Sequence, residues 1–298
     1  MTIYSSISSN KRKTWLIMIL FVLFFLTVSY ILGRALGYGL SFAGVMLIIS
    51  GLMSFGSYYY SDKIVLAMSG AKPATKEEYR DLFTTVENLS IASGTPMPKV
   101  YVVQDAAPNA FATGRDPKHA AVCATTGILQ KLSKAELEGV IGHELSHVKN
   151  YDTRLMGVVA ILVGSLSILA DVFFRSLWFR DSDDNNRSSS IFMIVGIILA
   201  ILSPIIATLI QLAISRRREY LADADGALLT RYPEGLASAL EKIAADKNIL
   251  KTASTATAHF YIENPFKTDV KKKSGQWLVN LFSTHPPINE RIRILRSM

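Results

Sequence analysis

Two histidines four residues apart, His143 and His147, flank a glutamate, Glu144, in the run G-H-E-L-S-H-V-K-N. On a helix, four residues turn about 400° and rise about 6 Å, so both imidazoles share one face. That separation lets two nitrogens hold one tetrahedral zinc ion. Glu144 adjoins the first histidine and can reach a water on the metal without binding the metal itself. This is the HExxH pattern, with Glu as general base. A catalytic zinc takes a third protein ligand and keeps one position open. Cys123 is the single cysteine, so a cysteine-based site is excluded. No third histidine follows at the H-E-x-x-H-x-x-G-x-x-H spacing: Arg154 stands there, and Asn150 replaces the glycine. A downstream carboxylate is therefore expected. Glu219 and Asp223, in R-R-R-E-Y-L-A-D, lie four apart on one helical face. Glu219 has the longer reach and is the preferred ligand, with Asp223 next in line. Asp223, one turn on, could instead accept a hydrogen bond from a ligating imidazole and fix its tautomer. The bland alternative for the pair is a solvated acidic face. The constellation occurs once, so one Zn2+ per chain is expected.

These residues need a scaffold. Ser133-x-x-Glu136 is a capping box that opens the helix carrying the histidines. Thr75-x-x-Glu78 is a second box, expected to open an amphipathic helix through Leu82, Val86 and Leu89 that Gly94, Pro96 and Pro98 end. Residues 100–103, 109–113 and 119–124 read as strands, the last two joined by the turn Arg115-Asp116-Pro117-Lys118. A further helix follows Pro233 through Leu236, Leu240 and Ile243. Residues 247–274 have no clean period and read as loop. His119 and His259 lack nameable partners and read as structural.

The chain of 298 residues is 50% hydrophobic and 19% charged, too apolar for an ordinary soluble domain. Residues 14–33, 35–61 and 188–215 are uncharged runs long enough to cross a bilayer as helices. A fourth span is expected from Leu155 to near Phe174, interrupted by Asp171. The first run is too long for a signal-peptide core and is followed at once by a second, so it reads as a retained anchor. The net charge of +8 is placed at span ends, at Lys11–Lys13 and Arg216–Arg218, and in a polar loop at Lys271–Lys273. The first two clusters orient a membrane chain and meet anionic lipid, whereas the third reads as a solvated loop. No nucleic-acid-binding motif is present. The expected layout is residues 1–61 as a tail with two spans, 62–154 as a cytoplasmic catalytic part, 155–215 as two further spans, and 216–298 as a second cytoplasmic catalytic part. Both termini and the active site then face the cytoplasm. The polar residues before Lys11 carry no readable signal.

With Asn109-Ala110-Phe111-Ala112-Thr113-Gly114 upstream and Thr284-His285-Pro286-Pro287 near the end, the chain resembles the HtpX family of membrane zinc endopeptidases over nearly its whole length. Eukaryotic CAAX prenyl proteases are similar but more distant. The resemblance implies a mainly helical membrane protein of about four spans with a zincin-like α+β catalytic domain and a small sheet. It implies Glu219 as third ligand, Asn109, Ala110 and Phe111 beside the substrate cleft, and His285 as a transition-state donor, although a His-Pro-Pro turn is equally plausible as structure alone. It also implies damaged or misfolded membrane proteins as substrates, cleaved at the cytoplasmic face of the cell membrane under stress. The rival class is a non-catalytic zinc scaffold or a transporter. A scaffold would not need Glu144, and a transporter would place ionisable residues inside its spans.

Overall fold

The computed structural model describes residues 3–36, 39–178, 216–250, 261–262 and 286–298. Two long helices, α1 (Ile3–Leu36) and α2 (Gly39–Met68), come first. Strand β1 (Lys72–Pro73), helix α3 (Arg80–Ser93), strands β2 (Lys99–Val103), β3 (Ala110–Gly114) and β4 (Ala120–Thr125), and a short helix α4 (Thr126–Lys131) follow. Then come α5 (Lys134–Lys149), α6 (Asp152–Trp178), α7 (Arg216–Thr230), α8 (Pro233–Ala245) and α9 (Ile288–Leu295). The sheet order is β1-β2-β4-β3. β2 and β4 are parallel, whereas β3 runs antiparallel to β4 and forms one edge. A mainly helical chain with one small sheet is the expected class.

The capping box at Ser133 is present. Ser133 N–H donates to Glu136 Oε2 at 2.7 Å, and the Glu136 N–H donates back to Ser133 Oγ at 3.4 Å. Lys242 Nζ donates to the same carboxylate at 2.7 Å, so the cap of α5 also anchors α8. The box at Thr75 is different. Glu78 N–H does reach Thr75 Oγ1 at 3.4 Å, but the bond closes a turn, and α3 begins only at Arg80. Gly94, in the left-handed region at φ 67°, ends α3 as expected. Strand β1 and helices α4 and α9 were not foreseen. All three are short; β1 is exposed, and α4 and α9 bury Ile128, Ile292 and Leu295 against neighbours distant in sequence.

α5 is the axis of the largest hydrophobic core among the described residues. Its Leu137, Val140, Ile141, Leu145 and Val148 are buried against α3, the sheet, α7 and α8. It meets α7 with no side chains between them: a Cβ on Gly226 would stand 2.8 Å from the His143 backbone nitrogen. That close approach brings Glu219 and Asp223 within reach of the histidines. Cys123, on β4, is buried, and burial pushes its thiol well above the usual range.

A second cluster joins Ile17, Met18, Phe21 and Phe25 of α1 to Leu155, Val158, Val159, Leu162 and Val163 of α6. α6 runs unbroken through Asp171. Among the described residues, no helix is long and apolar enough to cross a membrane. The apolar run 188–215, His259, Lys271–Lys273, His285 and most of 247–274 lie outside the described residues.

Candidate metal centre

α5 presents His143 and His147 on one face, and α7 delivers Glu219 opposite them. The two Nε2 atoms are 3.2 Å apart. Glu219 Oε1 lies 3.4 Å from His147 Nε2, and its Oε2 lies 3.7 Å from His143 Nε2. Ligand atoms about 2.0–2.1 Å from a tetrahedral zinc stand about 3.3–3.4 Å from one another. The donor set therefore fits one small cation, with all three residues buried. Charge agrees with geometry. Glu144, Glu219 and Asp223 are at most 3% exposed and face one buried guanidinium, that of Arg291. A cation held by the three donors would meet the Glu219 carboxylate directly.

Each imidazole is held from behind by a different carboxylate. His143 Nδ1 lies 2.9 Å from Asp223 Oδ1, although the ring is turned off the line of a straight hydrogen bond. Asp223 is gripped in turn by Arg291, whose Nε and Nη2 donate to its two oxygens at 2.8 and 2.6 Å. Arg291 Nη1 also donates to the Ile262 carbonyl at 3.2 Å. His147 Nδ1 lies 3.0 Å from Asp152 Oδ2. The other oxygen of Asp152 accepts from Asn10 Nδ2 at 2.7 Å and lies 3.4 Å from Arg218 Nη1.

These surroundings set the titration of the site. Burial pushes the Glu144 carboxyl up to about 8; Glu219 adds to this, and His147 and the Ala112 N–H oppose it. A carboxyl that exchanges its proton near neutral pH suits a general base. Burial drives His143 down, against the pull of Asp223. For His147 burial acts in the same sense but is outweighed by Asp152, Glu219 and Glu144, which lift it to about 9. Asp223 is held down at about 2, against its burial, chiefly by Arg291.

β3 runs beside α5. Asn109 is buried: its N–H donates to Thr125 Oγ1 at 2.9 Å, and its Oδ1 accepts the Ala110 N–H at 3.1 Å. Phe111 packs edge-on against Tyr261, ring centres 5.2 Å apart. The Ala110 carbonyl, on the outer edge, accepts the Ile262 N–H at 3.2 Å. At that end the edge is already paired with the chain's own backbone. Ala112, two residues on, faces Glu144.

Arg154, at the position where a third histidine would stand in the longer motif, turns its guanidinium onto the Tyr58 and Tyr151 rings, 5.2 and 4.7 Å away. His119, for which the sequence offered no partner, lies 2.8 Å from Asp116 on the half-exposed turn. Asp152, Arg218, Arg291 and Asn10 were missed. Asp152 had a signal, an acid at the first turn of a helix just after the motif. Arg291, in N-E-R-I-R, reads as one more cation on a solvated face. Asn10 contradicts the reading of the N-terminal residues as uninformative.

The profile of Peptidase family M48 matches residues 76–298. The chain belongs to that family and is a metallopeptidase. Its relatives include a "Protease HtpX homolog" of Dictyoglomus thermophilum, 48% identical over 307 residues, covering 100% of this chain and 95% of the relative. Homologues of the same name in Caldanaerobacter subterraneus and in Tropheryma whipplei (strain Twist) are each 46% identical, covering 100% and 99% of this chain and 98% of theirs. The resemblance to the HtpX family thus holds over the full length. The crystal structure of S. mikatae Ste24p aligns with a TM-score of 0.49 at 20% identity, covering 95% of this chain and 66% of that one.

Proposed function

We propose that the chain is a zinc endopeptidase embedded in the cell membrane, cutting membrane or membrane-proximal proteins at the cytoplasmic face in membrane protein quality control under stress. The convergence of His143, His147 and Glu219 beside Glu144 carries this reading. Those three residues would hold one zinc per chain. When bound, zinc would supply Lewis acidity toward a water and toward the scissile carbonyl. Glu144 takes the proton of the attacking water and returns it to the leaving amine. Beyond the end paired with Ile262, the outer edge of β3 receives the peptide as an added strand. His285 remains the proposed donor to the developing oxyanion, on resemblance alone.

The membrane reading rests on where apolar side chains point. On α1, Leu16, Ile19, Leu20 and Leu23 are exposed along one face, while Ile17, Met18 and Phe21 pack against α6. On α2, Val45, Leu47, Ile48, Leu52 and Phe55 are exposed as well. A band of exposed apolar side chains this wide is foreign to a water-facing surface. The basic clusters Lys11–Lys13 and Arg216–Arg218 meet in space, since Arg218 Nη1 lies 3.1 Å from Asn10 Oδ1. Both then sit on one side, and the cytoplasmic side is where such cations favour placement.

The test compares purified wild type and Glu144→Gln on an unfolded membrane protein in detergent, with zinc content measured alongside. The amide should keep the zinc and lower turnover by at least about 100-fold. Near wild-type turnover would refute the general-base role. Reporter fusions after Ser61 and at the C-terminus should read cytoplasmic, and one near Asn185 external. The opposite result at the C-terminus would remove the fourth span.

A further inference from the structure

Asn10 lies on α1, next to the first basic cluster, and is 2% exposed. Its side-chain amide makes three contacts across the chain. Nδ2 donates to the Asn150 carbonyl at 2.9 Å and to Asp152 Oδ1 at 2.7 Å, and Oδ1 accepts from Arg218 Nη1 at 3.1 Å. Both amide hydrogens and one lone pair are therefore used. Asn150 caps the end of α5, Asp152 opens α6, and Arg218 stands in the first described turn of α7. One neutral side chain thus ties α1 to the two helices that bring up the histidines and Glu219 and to α6, which carries Asp152.

The contact with Asp152 matters most. A carboxylate behind an imidazole fixes its tautomer and ring angle only if it is itself fixed. One oxygen of Asp152 faces His147 Nδ1 at 3.0 Å, and the other is held by Asn10. Arg218, at 3.4 Å, is too distant to fix the carboxylate plane alone. Only a group that donates and accepts can serve here. Aspartate would set a like charge against Asp152, and an apolar residue would leave both Asp152 and the Asn150 carbonyl short of a donor.

We propose that Asn10 is a positioning residue for the metal centre: through Asp152 it orients His147, so that metal affinity depends on the seating of α1. This rests on the reading of His147 as a ligand.

The test measures zinc affinity of the full chain in detergent by competition with a chromogenic chelator. The variants are Asn10→Ala, Asp152→Ala, the double variant and His147→Ala. Asn10→Ala should weaken zinc binding by about 10–100-fold, as losses behind a ligand do. In the Asp152→Ala background the same change should have little further effect, because its route to the metal is gone. Cobalt-substituted Asn10→Ala should show a shifted visible spectrum, a change in ligand geometry that general loosening of the fold would not give. Wild-type affinity in Asn10→Ala, or losses that multiply in the double variant, would overturn the proposal. Unchanged zinc binding in His147→Ala would instead sink the metal-centre reading, and the proposal with it. If Asn10→Ala does not yield folded protein, the isosteric Asn10→Asp carries the test. It should weaken zinc in the same range, and wild-type affinity there would be equally fatal.

Discussion

The two sides of the metal centre do the same job with different physics. Behind His143 stands a buried ion pair, Asp223 and Arg291, each 1% exposed and joined by two hydrogen bonds. Behind His147 stand Asp152, a neutral amide and a cation at longer range. The ion pair is compact and stiff, but stripping water from two charges is costly, so it tolerates no loss of either member. The amide arrangement costs less to bury and draws on residues from α1 and α7. One side is thus braced within the catalytic half of the chain, and the other is braced by its first helix.

Glu219 approaches both histidines, so its loss should have the largest effect. Glu219→Ala should lose tightly bound zinc, read as metal per chain by mass spectrometry; stoichiometric zinc would place the third ligand elsewhere. Arg291→Ala removes the cation that grips Asp223 behind His143 and that also lies 4.0 Å from Glu219. It leaves Asp223 buried without its cation and should cost about 3–5 kcal/mol in denaturant unfolding. A loss below about 1 kcal/mol would mean that the two sides are less unlike than their contacts suggest. Asp223→Asn belongs with it. An amide there still accepts from the imidazole, and from the sequence alone it reads as milder than alanine. With Arg291 buried against it, the same change strands a cation and should be nearly as damaging as alanine. Gly226→Ala would press a methyl on the His143 backbone and part α5 from α7. A cost of about 1–3 kcal/mol is expected, with weaker zinc binding. Unaltered affinity would show that the close approach does not set the ligand distances. The smallest effect should come from Ser146→Ala, which removes a hydrogen bond of 3.0 Å donated to Asp225 and one of 3.2 Å accepted from Asn150 Nδ2, neither to the carboxylates behind the histidines. It should cost about 0.5–1.5 kcal/mol with zinc stoichiometry unchanged.

What could be read from the sequence follows the same division. The HExxH spacing, the Ser133 cap and Glu219-x-x-x-Asp223 are local patterns, and helix geometry alone places their side chains on one face. The strands at Lys99–Val103, Ala110–Gly114 and Ala120–Thr125 were legible within a residue or so from alternation and turn residues. Arg291 and Asn10 were not, because their roles depend on contacts across 68 and 142 positions of chain. Nothing within a helical turn of either distinguishes it from an ordinary polar residue. The start of α3 was misplaced because a Thr-x-x-Glu pair can close a turn as well as open a helix.

The burial of Cys123 has a practical consequence for labelling. It is the chain's single thiol, and burial keeps it both protonated and out of contact with solvent. A maleimide added to the folded native chain should find nothing to modify. The wild-type sequence therefore serves as its own blank. A cysteine introduced on the exposed face of α1, at Leu16 or Leu23, would report by itself whether that position meets water or lipid, with no background thiol to remove first.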